Sequence, residues 1–265
     1  MGEAFLVGGV RTPIEASRVE TRSTITVSYW PDRVLVQLAR PEKRNAINQA
    51  MVDELHLVCA ELEVAPRILI IAGSGGVFAS GADIAELRER TSVDALKGIN
   101  TMLFIRIADL PMPVIAAMDG YALGGGAELA YAADFRIGSP RLRIGNPETG
   151  LGIVAPAGAL WRLRELVGEP LAKEILLAGR VLGADEALAA GLITRVAEPD
   201  DLLNAAHALA DEIAAKSAEA TIRTKAIMRV ARGEHPRLDL EAQATLFDSD
   251  DKRQRMTEFL QRRTR

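Results

Sequence analysis

Residues 113–137 have the sequence PVIAAMDGYALGGGAELAYAADFRI, in which two apolar stretches flank a glycine-rich turn and a helix-forming segment. The apolar run at 113–118 predicts a short buried strand, because it is bounded by turn-forming residues. Three glycines open residues 124–133, and the remainder of that segment favours a helix. Residues 135–137 predict a further strand. The stretch therefore predicts a strand, a helix and a strand joined by short connections.

The flanking sequence continues this alternation on both sides. On the N-terminal side we predict two strands within residues 24–38 around the Pro31-Asp32 turn, a helix at 50–62 capped by Asn48, a buried strand at 67–72 and a helix from 82 to 90. From about residue 170 the pattern becomes helical, with segments at 171–178, 185–190, 200–216, 218–232 and 240–262. Strands that alternate with helices indicate an α/β fold.

Three segments follow from this division. Residues 1–22 are predicted to be an N-terminal extension, residues 23–199 an α/β core that contains the active site, and residues 200–265 a C-terminal helical region. The chain has 265 residues, 48% of them hydrophobic, which is enough material for a sizeable core.

Composition excludes several classes of function. The net charge of −4 gives no overall positive field for nucleic acid. Cys59 is the only cysteine, and His56, His207 and His235 lie far apart without a metal-ligand spacing, so no metal site is predicted. No apolar run reaches the roughly 18 residues of a membrane span, and the first residues lack the features of a signal peptide. We therefore expect a cytoplasmic protein without membrane contact.

Two glutamates and two helix starts are the candidates for chemistry. Glu128 follows the glycines at 124–126, Asp83 begins a helix after small residues, and Glu148 lies in the turn NPETGLG at 146–152. Taken singly, each has a structural explanation: close packing at the glycines, a helix cap at Asp83, an exposed turn at Glu148. Together they supply what proton transfer beside a thioester needs, namely N–H donors for an enolate oxygen and two carboxyl groups with separate acid and base roles.

The sequence resembles the enoyl-CoA hydratase/isomerase (crotonase) family over nearly the whole chain. The similarity is carried by RPEKRNAIN (40–48), FASGADI (78–84), the 113–137 stretch quoted above, GNPETGLG (145–152), AGLITRV (190–196) and DDKRQRMTEF (250–259). The resemblance implies a spiral of β-β-α units with C-terminal helices. It also implies an oxyanion hole from the backbone N–H groups of Ala82 and Gly125, with Glu128 and Glu148 as the catalytic carboxyl groups. Having both glutamates favours the hydration of a trans-2-enoyl-CoA to a 3-hydroxyacyl-CoA.

Further site residues and partners are implied only by this resemblance. Coenzyme A would be a part of the substrate rather than a separate cofactor, and its expected contacts are Lys43, Arg44, Ala46, Ala79, Asp83, Ile84 and Phe259. Lys43 and Arg44 are equally well explained as solvated surface charges. The family resemblance also implies trimers, which commonly pair into hexamers.

The chain departs from the family pattern after Glu148. Pro156 stands where a glycine is usual, and proline has no N–H group to hold a water molecule or a carboxylate. Two alternatives to a hydratase therefore stay open. One is another crotonase-type acyl-CoA enzyme, such as a Δ3,Δ2-enoyl-CoA isomerase that uses Glu148 to move a proton, and the other is an acyl-CoA-binding protein without catalytic activity.

Overall fold

The computed structural model describes residues 15–263 as ten strands and twelve helices. The strands are β1 (Arg18–Thr21), β2 (Ile25–Tyr29), β3 (Arg33–Leu38), β4 (Ile68–Gly73), β5 (Val114–Met118), β6 (Tyr121–Leu123), β7 (Phe135–Gly138), β8 (Arg143–Gly145), β9 (Val181–Gly183) and β10 (Arg195–Val196). The helices are α1 (Gln49–Val64), α2 (Ile84–Glu89), α3 (Ser92–Leu96), α4 (Ile99–Ala108), α5 (Gly125–Ala132), α6 (Arg164–Val167), α7 (Glu169–Ala178), α8 (Ala184–Ala189), α9 (Leu202–Ala214), α10 (Ala218–Ile227), α11 (Arg237–Phe247) and α12 (Asp250–Arg263).

Most strands belong to one mixed sheet with the order β1-β2-β3-β4-β5-β7-β10. The first three strands pair in antiparallel fashion, and β3, β4, β5, β7 and β10 run parallel. A second sheet has the order β6-β8-β9, with β6 parallel to β8 and β8 antiparallel to β9. The helices between the parallel strands confirm the α/β class predicted from the sequence.

Strands β4 and β5 are apolar throughout because helices cover both faces of the main sheet. In β4, Leu69 and Ile71 belong to the larger core cluster, which also contains residues of α1, α4 and α5. Ile68 and Ile70 point to the other face and pack in a second cluster with residues of α9. A strand buried on both sides has no need for polar positions, which explains the continuous apolar run.

Helix α1 begins where the sequence predicts. The side chain of Asn48 accepts a hydrogen bond of 3.1 Å from the N–H group of Met51, which satisfies one of the free donors at the helix start. Met51, Leu55 and Leu62 are buried on one face of this helix, as the apolar spacing indicates.

Two segments differ from the expectations. Strand β1 lies within the segment 1–22 and pairs with β2, so the main sheet includes part of the predicted extension. Residues 1–14 lie outside the described residues, and the three-segment division of the chain stays a prediction. The single helix predicted at 240–262 is wrong, because α11 ends at Phe247 and α12 begins at Asp250.

Candidate active site

The two predicted oxyanion-hole residues and the two predicted catalytic glutamates line one cavity of about 760 Å³. Ala82, Gly125, Glu128 and Glu148 all contribute to its wall, although they come from three separate parts of the chain. Ala82 precedes α2, Gly125 and Glu128 lie in the first turn of α5, and Glu148 follows β8. The structure therefore brings together the two helix starts and the two carboxyl groups.

The glycines before α5 allow two backbone segments to cross closely. A Cβ atom on Gly126 would lie 2.2 Å from the carbonyl oxygen of Ala79, a distance that no side chain tolerates. Gly124 has φ of +51° and ψ of −123°, a conformation that favours glycine. These residues hold the start of α5 against the chain that leads into α2.

The backbone segments at Ala82 and Gly125 lie close together beside the cavity. A Cβ atom built on Gly125 would lie 3.4 Å from the nitrogen of Ala82. Ala82 pairs with Ile47 in an isolated bridge, in which Gly81 accepts and Asp83 donates, so the N–H group of Ala82 takes no part. Gly125 is the first residue of α5, where an N–H group has no acceptor within the helix. Neither group donates to another described residue, and the pair can hold an oxyanion.

Glu128 is buried and held by backbone donors. Its side chain is 3% exposed, and Oε1 accepts hydrogen bonds from the N–H groups of Ala157 at 2.7 Å and Ala159 at 3.3 Å. Burial raises the pKa of Glu128 to about 8, with a smaller contribution from the charge of Glu148, whereas the two N–H groups oppose this rise. Glu128 is thus a carboxyl group that can exchange a proton near neutral pH.

Glu148 lies in a short 3₁₀ turn at Glu148–Leu151 and is 8% exposed. Its Oε1 accepts a hydrogen bond of 3.2 Å from the amide of Asn146, and its buried Oε2 has no hydrogen-bond partner among the described residues. Burial raises the pKa of Glu148, while the Asn146 amide and the residue's own N–H group oppose the rise. The prediction of an exposed turn glutamate, which applied to this residue taken alone, is wrong.

Three polar residues of this region were not found from the sequence. Asn146 joins Glu148 to the hydroxyl of Tyr131, and Asn100 lines the cavity with a buried Oδ1 that has no partner among the described residues. Tyr131 and Asn146 lie on different elements, so no local spacing connects them.

Pro156 leaves the backbone donors next to it intact. The N–H groups that bind Glu128 belong to Ala157 and Ala159, which follow the proline. The carbonyl oxygen of Pro156 accepts a hydrogen bond of 3.3 Å from Thr101. Glu128 therefore has two backbone donors in spite of the proline, whereas the effect of the missing N–H group on a water molecule stays a prediction.

The other predicted site residues are the expected contacts to coenzyme A, and most of them do not line the cavity. Ile84 lines it, whereas Lys43, Arg44, Ala46, Ala79 and Asp83 do not. Asp83 caps α2 by accepting from Ala85 and also pairs with Arg40 at 3.1 Å. Phe259 lies on α12 and is 60% exposed. Their roles in coenzyme A binding stay predictions.

The described residues contain neither a candidate metal site nor a candidate membrane-spanning helix. No cluster of three or more His, Cys, Asp or Glu side chains within 15–263 could hold a metal ion. Every helix in that range is too short or too polar to span a bilayer.

Comparison with known proteins agrees with the geometry. The model of the family described as enoyl-CoA hydratase/isomerase matches residues 34–265. A short-chain-enoyl-CoA hydratase of Clostridium acetobutylicum is 37% identical over 86% of this chain and 91% of its own length. A crotonyl-CoA hydratase of Syntrophomonas wolfei is 34% identical over 86% of this chain and 92% of its own.

Solved structures show the same fold. The crystal structure of an enoyl-CoA hydratase from Bacillus anthracis has a TM-score of 0.86 and 30% identity, covering 91% of this chain and 97% of that one. The crotonase-type architecture predicted from the sequence is thereby confirmed. The chain belongs to the enoyl-CoA hydratase/isomerase family.

Proposed function

We propose that this protein is an enoyl-CoA hydratase, which adds water reversibly to a trans-2-enoyl-CoA and gives a 3-hydroxyacyl-CoA. The observation that carries the proposal is that Glu128 and Glu148 are both buried at the cavity that Ala82 and Gly125 also line. Relatives named as hydratases, at 34–37% identity over most of the chain, support it.

In the proposed reaction the thioester oxygen lies between the N–H groups of Ala82 and Gly125. Glu128 removes a proton from a water molecule while the oxygen of that water bonds to C3, and the electrons of the double bond move towards C2. Glu148 delivers its proton to C2 on the same face. The two N–H groups stabilise the negative charge that develops on the thioester oxygen. Dehydration uses the same groups in the reverse direction.

The environments of the two glutamates support this division of roles. Burial raises both pKa values and therefore does not divide the roles, whereas the hydrogen bonds around each carboxyl group do. The N–H groups of Ala157 and Ala159 favour the ionised form of Glu128, which suits a base. Glu148 has a buried oxygen without such donors, which suits an acid.

The remaining features of the proposal come from the family. They are coenzyme A contacts at Lys43, Arg44, Ala46, Ala79, Asp83, Ile84 and Phe259, an acyl-CoA substrate without a separate cofactor, a cytoplasmic location, and a homotrimer or homohexamer. Exposed apolar residues on α11 and α12 support the assembly: Leu240, Phe247, Met256, Phe259 and Leu260.

Product analysis tests the proposal against the two alternatives. Purified protein is incubated with crotonyl-CoA and, separately, with 3-hexenoyl-CoA. The products are separated by liquid chromatography against authentic enoyl-CoA standards, because double-bond isomers have equal mass, and are then identified by mass spectrometry. A hydratase converts crotonyl-CoA to a product heavier by one water molecule. Conversion of 3-hexenoyl-CoA to an unhydrated isomer, without hydration of crotonyl-CoA, would instead identify an isomerase. Binding of either ester without turnover would identify a binding protein.

A further inference from the structure

A chain of hydrogen bonds leads from Tyr131 through Asn146 to Glu148. The hydroxyl of Tyr131 lies 3.1 Å from Oδ1 of Asn146, and Nδ2 of Asn146 lies 3.2 Å from Oε1 of Glu148. The same Nδ2 atom is 3.4 Å from the carbonyl oxygen of Gly124, the residue before α5. Tyr131 and Asn146 are 3% and 1% exposed, so water does not compete for these groups.

The direction of each hydrogen bond is fixed by its neighbours. Burial raises the pKa of Tyr131, so its hydroxyl keeps the proton and is a donor. Oδ1 of Asn146 accepts a hydrogen bond from this hydroxyl, which leaves Nδ2 as the group that faces Glu148. The carbonyl oxygen of Gly124 can only accept, which independently places Nδ2 on this side. Oε1 of Glu148 therefore accepts a hydrogen bond from Nδ2 of Asn146.

This arrangement distinguishes the two oxygens of Glu148. An oxygen that accepts from an amide is the carbonyl-like oxygen of a protonated carboxyl group, since the hydroxyl oxygen is a poorer acceptor. Oε2 is buried and has no hydrogen-bond partner among the described residues. Protonation of Oε2 would therefore break no hydrogen bond to a described residue.

We propose that Tyr131 and Asn146 are positioning residues that hold the carboxyl group of Glu148 in the orientation and protonation state from which it exchanges a proton with C2 of the substrate. This inference rests on the proposed function for the identity of the substrate. Without the Tyr131 hydroxyl, the Asn146 amide loses one of the two groups that define its orientation. If the amide turns, its oxygen faces Oε1 and draws the proton away from Oε2.

The test uses a reaction that needs no water addition. In D₂O, the ionised Glu148 removes a proton from C2 of butyryl-CoA, and the electron pair of the C–H bond forms the enolate. The carboxyl group then exchanges with solvent and returns a deuteron to C2. The rate of deuterium incorporation is measured by NMR for the wild type, Tyr131→Phe and Asn146→Leu, with binding of butyryl-CoA measured by calorimetry.

We expect exchange to slow by about tenfold or more at saturating butyryl-CoA in both variants, with KM changed less than about twofold, because the proton is misplaced while binding is kept. The matched controls are Tyr121→Phe, on an exposed tyrosine of β6, and Asn204→Leu, on an exposed asparagine of α9; both should exchange like the wild type. Tyr131→Phe is nearly isosteric and keeps the test valid if Asn146→Leu does not fold.

Wild-type exchange rates in folded Tyr131→Phe and Asn146→Leu would overturn the inference, as would a loss explained entirely by weaker binding. Wild-type protein that exchanges no C2 hydrogen would also overturn it, because Glu148 would then not exchange a proton with C2. Failure of hydration with normal exchange would count against the proposed function only. The two failures are thus distinguishable.

Discussion

At Glu128, burial and hydrogen bonding act on the same carboxyl group in opposite directions. Burial prevails and raises its pKa to about 8. A carboxyl group whose pKa is higher in the folded state than in the unfolded chain lowers the free energy of unfolding between those two pKa values. For Glu128 this loss grows as the pH rises from 4.5, the ordinary pKa of a glutamate, towards 8, because the carboxyl group ionises first in the unfolded chain. The residue that we propose as the catalytic base therefore lowers stability at neutral pH.

Replacing this glutamate should stabilise the protein. Glu128→Gln keeps an acceptor for Ala157 and Ala159 but cannot ionise, so we expect a gain of about 4 kcal/mol in the free energy of unfolding at pH 8. The gain should shrink towards pH 5, where the wild-type carboxyl group is protonated. Urea unfolding at both pH values measures it, and a variant no more stable than the wild type at pH 8 would contradict the account.

Gly124 combines a backbone requirement with a steric one. Its φ of +51° favours glycine, and a Cβ atom there would lie 3.1 Å from Oε1 of Glu148. Gly124→Ala should therefore destabilise the fold by about 1–3 kcal/mol and slow hydration by displacing Glu148. Gly233→Ala is the control, since a Cβ atom there meets nothing within 4 Å. Equal stability and activity of the two variants would disprove the steric explanation.

At the scale of elements, α1 is hydrogen-bonded to the turn between β1 and β2. The carboxylate of Glu54 accepts four hydrogen bonds from the N–H and hydroxyl groups of Ser23 and Thr24. Burial raises the pKa of Glu54, but these bonds outweigh it and the net shift is downward. This stabilisation is present above pH 4.5 and is lost as the pH falls through the lowered pKa.

Glu54→Ala should lower the free energy of unfolding at pH 7 by about 1–3 kcal/mol, since four donors lose their acceptor. The difference from the wild type should diminish below pH 4. Glu219→Ala, which removes an exposed pair with Arg223, should cost less than about 0.5 kcal/mol. Denaturant unfolding at pH 7 and pH 3.5 distinguishes the two, and an undiminished effect at pH 3.5 would contradict the role of the charge.

The sequence predicts long apolar elements well and short ones poorly. Strands β4 and β5 follow from continuous apolar runs, whereas β6, β8 and β9 have three residues each and present no periodicity. The break between α11 and α12 contains no glycine or proline. Ser249 makes the break, because its hydroxyl accepts from the N–H group of Lys252 and caps α12.

The same limit applies to the active site. Glu128 and Glu148 were predicted because their motifs resemble a family, and the local sequence alone favoured an exposed turn for Glu148. Tyr131 and Asn146 gave no indication, since their contact depends on how α5 packs beside the turn after β8. Tertiary contacts of this kind have no counterpart in spacing along the chain.

At the scale of the whole molecule, the C-terminal helices expose apolar side chains that a monomer gives no reason to keep. We expect light scattering to give three or six times the 28.5 kDa mass of one chain. Leu240→Glu combined with Phe247→Glu should reduce this mass, and Leu177→Glu, an exposed leucine on α7, should not. A wild-type mass of one chain would contradict the proposed assembly.

The central claim is that Glu128 and Glu148 together hydrate an enoyl thioester at one cavity. The most direct measurement follows the loss of enoyl-thioester absorbance of crotonyl-CoA with the wild type, Glu128→Gln and Glu148→Gln. We predict rapid loss with the wild type and rates reduced by at least about 100-fold in each variant, with the ester still bound. No loss with wild-type protein that binds the ester, or full activity in either variant, would contradict the account.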